Sequence, residues 1–164
     1  SDVCSSDLET ANRRAFMNEG ERRLILSRLT DIPLAVGILD LDHFKSLNDK
    51  YGHDAGDHAL KEVASVVKRN MRSEDMFARI GGEEFAIIVT GSHPDNNLAI
   101  FDNIRAVIES QVIEYGGEII KLTASIGFSS LSHQDSDLSA ILKRADSALY
   151  AAKRNGRNRV ECHL

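Results

Sequence analysis

The sequence predicts an α/β fold in which helices surround one central sheet. Residues 34–40, LAVGILD, form the short apolar run expected of a buried strand, and residues 120–128 alternate at the period of a strand. Apolar residues recur at helical spacing in several other segments. The chain has 164 residues, of which 27% are charged and 42% hydrophobic, and this balance fits one globular domain of ordinary size.

The predicted elements follow one another with short connections. In chain order they are a charged helix over about 12–29, a strand over 34–40, a short helix over 44–49, a longer helix from Asp54 to about Met71, strands over 76–80 and 85–89, a helix over about 98–108, a strand over 120–128, a helix over about 138–152 stopped by Gly156, and an edge strand over 159–162. The order strand, helix, hairpin, helix, strand is similar to a ferredoxin-like palm, whose central sheet is mainly antiparallel.

A Gly-Gly pair joins two of the predicted strands within residues 79–89, RIGGEEFAIIV. Gly81 and Gly82 are expected to supply the positive φ of a tight hairpin turn. Glu83 and Glu84 then lie at or just past the bend, with little freedom. By themselves they fit a hairpin tip with solvated charges at least as well as a functional site.

A second pair of carboxylates, Asp40 and Asp42, ends the predicted buried strand. Residues two apart share a face if the strand continues. Mg²⁺ binds few protein carboxylates and completes its shell with water and phosphate. Asp40 with Glu83 and Glu84 would suit such a site if the fold brings them together. The alternative is that the aspartates cap the following helix.

The composition narrows the range of partners. A net charge of −5 argues against general binding to nucleic acids or membrane surfaces, while a local basic pocket remains compatible with it. No apolar run approaches the roughly 20 residues that span a bilayer, and no signal peptide is recognisable. The two cysteines, Cys4 and Cys162, lie near opposite ends, which favours a reducing cytosol over a disulfide framework.

The first residues, SDVCSSDL, look foreign to the rest of the chain. They back-translate to a sequence that resembles the end of a common sequencing adapter. We therefore expect residues 1–8 to be a cloning or sequencing scar and residues 9–164 to form a single domain that is shortened at its N-terminus. A flexible natural terminus is the alternative.

Three separated motifs resemble those of the GGDEF family, the diguanylate cyclases. They are LDLDHFKSLNDKYGHDAGD at 39–57, RIGGEEF at 79–85 and KRADSALYAAKRNGRNRV at 143–160. The resemblance covers about 12–160 and implies condensation of two GTP into cyclic di-GMP with release of pyrophosphate. It also implies a palm-like fold related to nucleotidyl cyclases and polymerases.

The resemblance assigns metal-binding and catalytic roles to the carboxylates at the end of the predicted first strand and at the Gly-Gly hairpin. Asp40, Glu83, Glu84 and the backbone carbonyl of Leu41 would bind two Mg²⁺ or Mn²⁺ ions per active site. Glu83 and Glu84 are also the catalytic candidates, and Glu84 is the candidate for deprotonating the ribose 3′-hydroxyl. Glutamate in place of the family's aspartate at Glu83 is a common active variant.

The same resemblance places GTP against the hairpin and the nearby helices. Gly81 and Gly82 would leave room for the nucleotide, since a side chain there would collide with it. Asn48 and Asp57 match the pair that reads the guanine edge, and an amide with a carboxylate suits its donors and acceptor. For Asp57 a capping box with Asp54 is the alternative.

Further positions match groups that hold the phosphates. The backbone around His43 and Phe44, at a helix start, would bind phosphate oxygens. Lys45, as a third catalytic candidate, Lys153 and Arg157 match phosphate-contacting positions. For the last two, a favourable interaction with the helix dipole is the alternative reading.

A control site is implied by RSED, in which Arg72 and Asp75 match the family's RxxD inhibitory site for the product. The spacing alone is common on any surface, but its fixed offset from Gly81 makes the match specific. Arg105 on the following helix is a further candidate. Guanidinium and carboxylate groups suit a guanine edge and a phosphate.

The expected partners are GTP, cyclic di-GMP as product and inhibitor, and a second copy in a transient homodimer, with neither nucleic acid nor membrane contact from this segment. Only NRRAF, residues 12–16, matches the family's usual opening, so an upstream sensory domain is expected to be missing. The expected location is the cytoplasm, including the cytoplasmic part of a membrane-anchored bacterial protein. Two alternatives remain: a module that only binds GTP or cyclic di-GMP, and a different cyclase or polymerase on the same palm.

Overall fold

The structure is a computed structural model that describes residues 5–164, with side chains from residue 12 onward. Cys4 and the side chains of segment 1–8 lie outside the described residues, while Cys162 is a free, exposed thiol. The helices are α1 (Ser5–Thr30), α2 (Phe44–Tyr51), α3 (His53–Arg69), α4 (Asn97–Glu109) and α5 (Leu138–Arg154), with a 3₁₀ turn at Pro94–Asn96. The strands are β1 (Leu34–Leu41), β2 (Met76–Arg79), β3 (Glu84–Thr90), β4 (Ile113–Tyr115), β5 (Glu118–Ile120), β6 (Ala124–Ser130) and β7 (Val160–Cys162).

One sheet of order β2-β3-β1-β6-β7 organises the molecule. Strand β1 pairs antiparallel with both β3 and β6, β2 pairs antiparallel with β3, and β7 joins β6 in parallel. The predicted α/β architecture with a mainly antiparallel central sheet is therefore confirmed. Its register matters for function, because Asp40 of β1 faces Glu84 of β3.

Helices cover both faces of this sheet, which explains the continuous apolar run of β1. On one face, α2, α3 and α4 pack on residues such as Leu39 and Phe85. On the other face, α1 and α5 pack on Val36 and Ile88. A strand buried on both sides carries apolar residues at successive positions instead of alternating them.

Helix α5 approaches the sheet especially closely at Gly127 of β6. A Cβ at Gly127 would lie 2.0 Å from the backbone nitrogen of Leu149. Only glycine allows backbone to pack on backbone at this distance. The contact fixes α5 against β1 and β6, and the C-terminal turn of α5 reaches Asp40 at the end of β1.

Two expectations about turns and strands are wrong. Positive φ does not occur at Gly81 and Gly82 but at Gly116 and Gly117, with values of 58° and 79°. The latter pair forms the two-residue turn of the β4–β5 hairpin, which the sequence reading missed. The predicted strand over 120–128 is in fact divided, because β5 ends at Ile120 and β6 begins at Ala124.

Two residues of the predicted helices also take different positions. Leu98 lies on α4 but is 54% exposed instead of facing the core. Met71 packs against the core from beyond the end of α3. Within the described part of the chain, no helix has the length and apolar character to cross a membrane.

Candidate active site

The predicted site lies where β1 ends and β3 begins. Asp40 and Glu84 occupy facing register positions on these neighbouring strands. The backbone N–H of Leu41 donates to the carbonyl of Glu83 at 3.2 Å. The register of β1 and β3 therefore brings the neighbours Asp40 and Leu41 beside Glu83 and Glu84, although the two pairs lie far apart in the sequence.

The loop between β2 and β3 is braced by its own backbone and by Arg79. The N–H groups of Ile80 and Gly81 both donate to the carbonyl of Glu84, at 2.9 and 3.2 Å. The Arg79 guanidinium donates to the carbonyls of Gly81 at 3.1 Å and Gly82 at 2.7 Å. The chain thus enters β3 in a fixed path, which holds Glu84 opposite Asp40.

Among the described residues, no neighbouring atom would exclude a side chain at position 81 or 82. A Cβ at Gly81 would meet only the Cβ of Glu84, at an ordinary 3.4 Å, and one at Gly82 would meet nothing within 4 Å. The backbone surface of this loop is therefore open. An open backbone at this loop is what the predicted contact between the nucleotide and Gly81-Gly82 requires.

The charges around this loop are unevenly balanced. Lys153, in the last turn of α5, donates from Nζ to Oδ2 of Asp40 at 2.9 Å. Partial burial, followed by the negative charges of Asp40 and Asp146, raises the pKa of Glu84 above its ordinary value, although Arg13 and Lys153 oppose the shift. Glu84 is therefore a carboxylate whose charge the folded chain only partly compensates, as expected where a cation is to bind.

The donor set suits a hard divalent cation, although it is not preassembled. Among the described residues, no three His, Cys, Asp or Glu side chains converge to hold a metal ion. What the register supplies is a facing pair of carboxylates, Asp40 and Glu84, with Glu83 and the Leu41 backbone beside it. One or two carboxylates completed by phosphate oxygens and water are the usual protein environment of Mg²⁺.

The guanine candidates lie on two helices that pack together. A Cβ at Gly56 of α3 would lie 1.8 Å from Oδ1 of Asn48, so glycine makes room for this amide. That oxygen is buried and has no hydrogen-bond partner among the described residues. An unsatisfied buried amide is unusual and suits a polar ligand that supplies the missing partner.

Asp57, next to Gly56, is exposed on α3 and lines a cavity of about 590 Å³ with Arg79 and Phe85. The capping-box reading of Asp54 and Asp57 is wrong, because Gly52 is the N-cap of α3 and no side chain caps it. The Asp57 carboxylate therefore makes no capping hydrogen bond at the start of α3.

The phosphate candidates are placed around the same end of the sheet. His43 is the N-cap of α2, with a left-handed φ of 55° and no side-chain cap, so the reading of Asp40 and Asp42 as helix caps is wrong. Phe44 is buried at the start of α2, and Lys45 is exposed beside it. Arg157 is exposed in the loop after α5.

Asp42 has a structural setting that the sequence reading missed. Its buried carboxylate accepts hydrogen bonds from Thr123 Oγ1 at 2.7 Å, Ser125 Oγ at 2.7 Å and the backbone N–H of Asn158 at 3.0 Å. The signals were its position two residues after Asp40 and the hydroxyl residues that flank Ala124. Neither signal in the sequence points to Asn158 as a hydrogen-bond partner of Asp42, because the two residues are 116 positions apart.

The RxxD residues form a closed ion pair at another edge of the sheet. Arg72 donates from Nη2 to Oδ1 of Asp75 at 2.8 Å and from Nε to Oδ2 at 3.2 Å. It also donates to the carbonyl of Thr90 at 2.9 Å. A cavity of about 570 Å³ adjoins the pair. Arg105, the further candidate, does not line this cavity and instead bonds Asp102, Glu109 and Asn158, so its role stays a prediction.

Known proteins share both this sequence pattern and this fold. The family described as "Diguanylate cyclase, GGDEF domain" matches residues 9–159. Diguanylate cyclase A of Treponema denticola is 43% identical over 127 residues, which cover 77% of this chain and 34% of that protein. The chain spans 22% to 34% of the length of this and two other curated relatives, the diguanylate cyclases DgcP and DosC.

Solved structures agree over nearly the whole length. The GGDEF domain of DgcB from Caulobacter crescentus, crystallised in complex with c-di-GMP, has a TM-score of 0.87 at 35% identity and covers 92% of this chain and 90% of that one. The active GGEEF domain of a diguanylate cyclase from Vibrio cholerae has a TM-score of 0.86 at 33% identity and covers 93% and 97%. The chain therefore belongs to the family of diguanylate cyclase GGDEF domains.

Proposed function

We propose that this domain is an active diguanylate cyclase that condenses two GTP into one cyclic di-GMP and releases two pyrophosphates. The observation that carries the proposal is the facing pair Asp40 and Glu84 beside the open Gly81-Gly82 loop. The loop reads GGEEF, as in the Vibrio cholerae domain described as active. Its glutamate at residue 83 is therefore compatible with turnover.

In each of two equivalent steps, the 3′-oxygen of one GTP attacks the α-phosphorus of the other. The new bond joins that oxygen to phosphorus, the bond from the α-phosphorus to the bridging oxygen breaks, and pyrophosphate leaves. Glu84, whose pKa is raised by burial and by nearby carboxylates, is the group on this chain that we assign to accept the 3′-hydroxyl proton.

The remaining residues hold the reactants. We assign Asp40, Glu83, Glu84 and the Leu41 carbonyl to divalent cations, Mg²⁺ or Mn²⁺ and two per site. When bound, these would neutralise charge on the phosphates and lower the pKa of the attacking hydroxyl. Lys153 is placed beside this set by its ion pair with Asp40.

Phosphate oxygens are assigned to the start of α2 and to the loop after α5. The backbone at His43 and Phe44 and the Lys45 ammonium group would contact them from α2. Arg157 would contact them from the other side. Amides at a helix start and cations of this kind are common phosphate ligands.

Base selection is assigned to Asn48 and Asp57. Guanine presents an acceptor at O6 and donors at N1 and N2, which match an amide and a carboxylate. Adenine would present the opposite groups at the corresponding positions. The buried Asn48 oxygen without a partner supports a base-binding role on this face.

The proposal is tested by incubating the purified chain with GTP and Mg²⁺ and separating the products by chromatography. We expect cyclic di-GMP and pyrophosphate in a 1:2 ratio. ATP at the same concentration should yield at least roughly tenfold less product, since each buried polar group left unpaired costs about 1–3 kcal/mol. Comparable turnover of ATP would contradict the assignment of Asn48 and Asp57. Tight GTP binding with no product would favour the binding-module alternative.

We also propose feedback inhibition by cyclic di-GMP at Arg72 and Asp75. The cavity beside the ion pair offers room. Among the described residues, Nη1 of the 42% exposed Arg72 side chain is held only by an exposed Glu74 carboxylate at 3.3 Å, which a phosphate or guanine acceptor would displace. Since Arg72 is already held by Asp75 and Thr90, the product would bind to a preformed fork.

Arg72→Ala is expected to weaken inhibition by added cyclic di-GMP at least tenfold, with the initial rate little changed. The Asp75 side chain is only 4% exposed, so removing its partner also risks destabilising the fold. Arg72→Lys is the matched control, because it keeps the charge but loses the two-pronged geometry. Equal inhibition constants for wild type and both variants, measured on folded protein, would remove this site.

A further inference from the structure

Three consecutive residues between α5 and β7 have positive φ. The values are 122° at Gly156, 64° at Arg157 and 44° at Asn158. Glycine adopts such angles without steric cost and asparagine adopts them more readily than most, but arginine does so rarely. A backbone of this kind persists only where its surroundings hold it in place.

Contacts from three directions hold this loop. The N–H of Arg157 donates to the carbonyl of Ala152 at 3.0 Å, which closes the end of α5. The Asn158 side chain accepts from Arg105 Nη1 at 2.9 Å and donates to the Glu109 carboxylate, both on α4. The Asn158 backbone N–H donates to Oδ2 of Asp42 at 3.0 Å, on the β1 side.

Asp42 connects this loop to the start of α2. Its carboxylate is 6% exposed and is bonded to the hydroxyls of Thr123 and Ser125 as well as to the Asn158 N–H, which are all neutral donors. Its own N–H donates to the Thr123 carbonyl at 2.9 Å. The next residue is His43, the N-cap of α2. Asp42 therefore lies between the two segments that carry the proposed phosphate contacts.

The geometry assigns Asp42 the role of a positioning residue for GTP, an inference that rests on the proposed function. By holding the Asn158 N–H, Asp42 keeps Arg157 at a set distance from the start of α2. Both segments then contact the phosphates of one GTP at the same time. Without this bond, the loop loses the one of its three contacts that ties it to the β1 side, and the backbone of Arg157 is no longer held at a set distance from the start of α2.

The test measures the dissociation constant of a GTP analogue with a methylene between the α- and β-phosphates, by titration calorimetry with Mg²⁺. Asp42→Ala is expected to weaken binding about tenfold, close to the effect of Arg157→Ala, which corresponds to about 1.4 kcal/mol. The double variant should bind no more weakly than Arg157→Ala alone. Such non-additivity is the signature of a residue that acts through another.

A conservative variant separates positioning from charge. In Asp42→Asn, the amide oxygen can accept from Thr123 and Asn158, while the Ser125 hydroxyl reverses to accept from the amide nitrogen. We expect this variant to bind the analogue within about threefold of wild type. If Asp42→Ala does not fold, Asp42→Ser carries the same expectation as Asp42→Ala, because its hydroxyl is too short to reach Asn158.

A matched control removes a comparable buried carboxylate elsewhere. Asp135 is 4% exposed and is bonded by the Arg144 guanidinium and the Ser132 N–H. Asp135→Asn should lower the melting temperature without changing affinity for the analogue. This control separates loss of stability from loss of positioning.

Two results would overturn the inference while leaving the proposed function intact. One is wild-type affinity in a folded Asp42→Ala or Asp42→Ser variant. The other is an effect of Asp42→Ala that is equally large with and without Arg157. If wild type itself does not bind the analogue, the proposed function fails and the inference fails with it.

Discussion

Replacing Glu84 with glutamine is expected to abolish cyclic di-GMP formation while the fold remains intact. The change is nearly isosteric. It removes one of the two negative charges of the facing pair Asp40 and Glu84. It removes a proposed metal-binding carboxylate and the proposed proton acceptor, and loss of a general base alone typically costs about 10²–10⁴ in rate. The measurement is the initial rate of product formation at saturating GTP and Mg²⁺.

The raised pKa of Glu84 gives this variant an internal control. Since burial and neighbouring carboxylates disfavour its charged form in the folded chain, this group binds protons more tightly when folded, and its contribution to stability falls as the pH rises. Glutamine removes that cost, so Glu84→Gln should melt at or above the wild-type temperature at neutral pH. Glu114→Gln, at an exposed position of strand β4, should change neither property.

A folded Glu84→Gln variant that keeps more than roughly a tenth of the wild-type rate would have lost less than about 1.4 kcal/mol of transition-state stabilisation. That result would exclude Glu84 as the catalytic residue. A variant that is inactive because it is unfolded would also contradict the expected gain in melting temperature.

The activity per chain is expected to rise with protein concentration. Cyclic di-GMP joins two nucleotides through two equivalent bonds, while each chain carries one GGEEF loop and one set of GTP-contacting candidates. We therefore propose that two chains meet face to face, each presenting one GTP, so that each 3′-hydroxyl aligns with the other's α-phosphate. We propose that this dimer is transient, because a permanent one would retain its product.

The measurement is the initial rate at saturating GTP over enzyme concentrations from nanomolar to tens of micromolar. If the chain is mostly monomeric, the rate should grow faster than linearly at the low end. A parallel dimeric coiled coil fused ahead of Asn12 should raise the rate at nanomolar enzyme, since tethering supplies effective concentrations on the order of millimolar. The same fusion with helix-breaking prolines in the coiled coil serves as the control.

A specific activity that stays constant over the whole range would contradict the transient dimer. It would indicate either that one chain holds a complete site or that the dimer is permanent. Sedimentation at the same concentrations distinguishes these two cases.

The strands and helices were predictable where side-chain pattern and burial agree. The run LAVGILD became the central strand β1, and the spacing of Phe101, Ile104 and Ile108 became the buried face of α4. The prediction failed for the tight turn, because the sequence contains two Gly-Gly pairs that could form one. Gly81-Gly82 and Gly116-Gly117 are equally good candidates for a tight turn, but only the second pair has positive φ. The first pair lies in a longer loop that Arg79 braces through its carbonyls.

The candidate site shows the same division. The resemblance of the motifs to the family made Asp40, Glu84, Asn48 and Asp57 candidates for the site. The motifs could not show that Asn48 rests against Gly56 with an unpaired oxygen, or that Lys153 already neutralises part of Asp40. Those facts depend on contacts between residues far apart in the chain, which spacing does not encode.

The sequence by itself determined the family, the fold class and the chemical types at the site, because these depend on local patterns of apolar, glycine and acidic residues. Only the tertiary structure decided which groups meet. The antiparallel register of β1 and β3 sets Asp40 opposite Glu84, and Gly127 lets α5 approach closely enough for Lys153 to reach Asp40. The buried bond from Asn158 to Asp42 spans 116 residues and exists only because the sheet brings the end of β1 beside the α5–β7 loop.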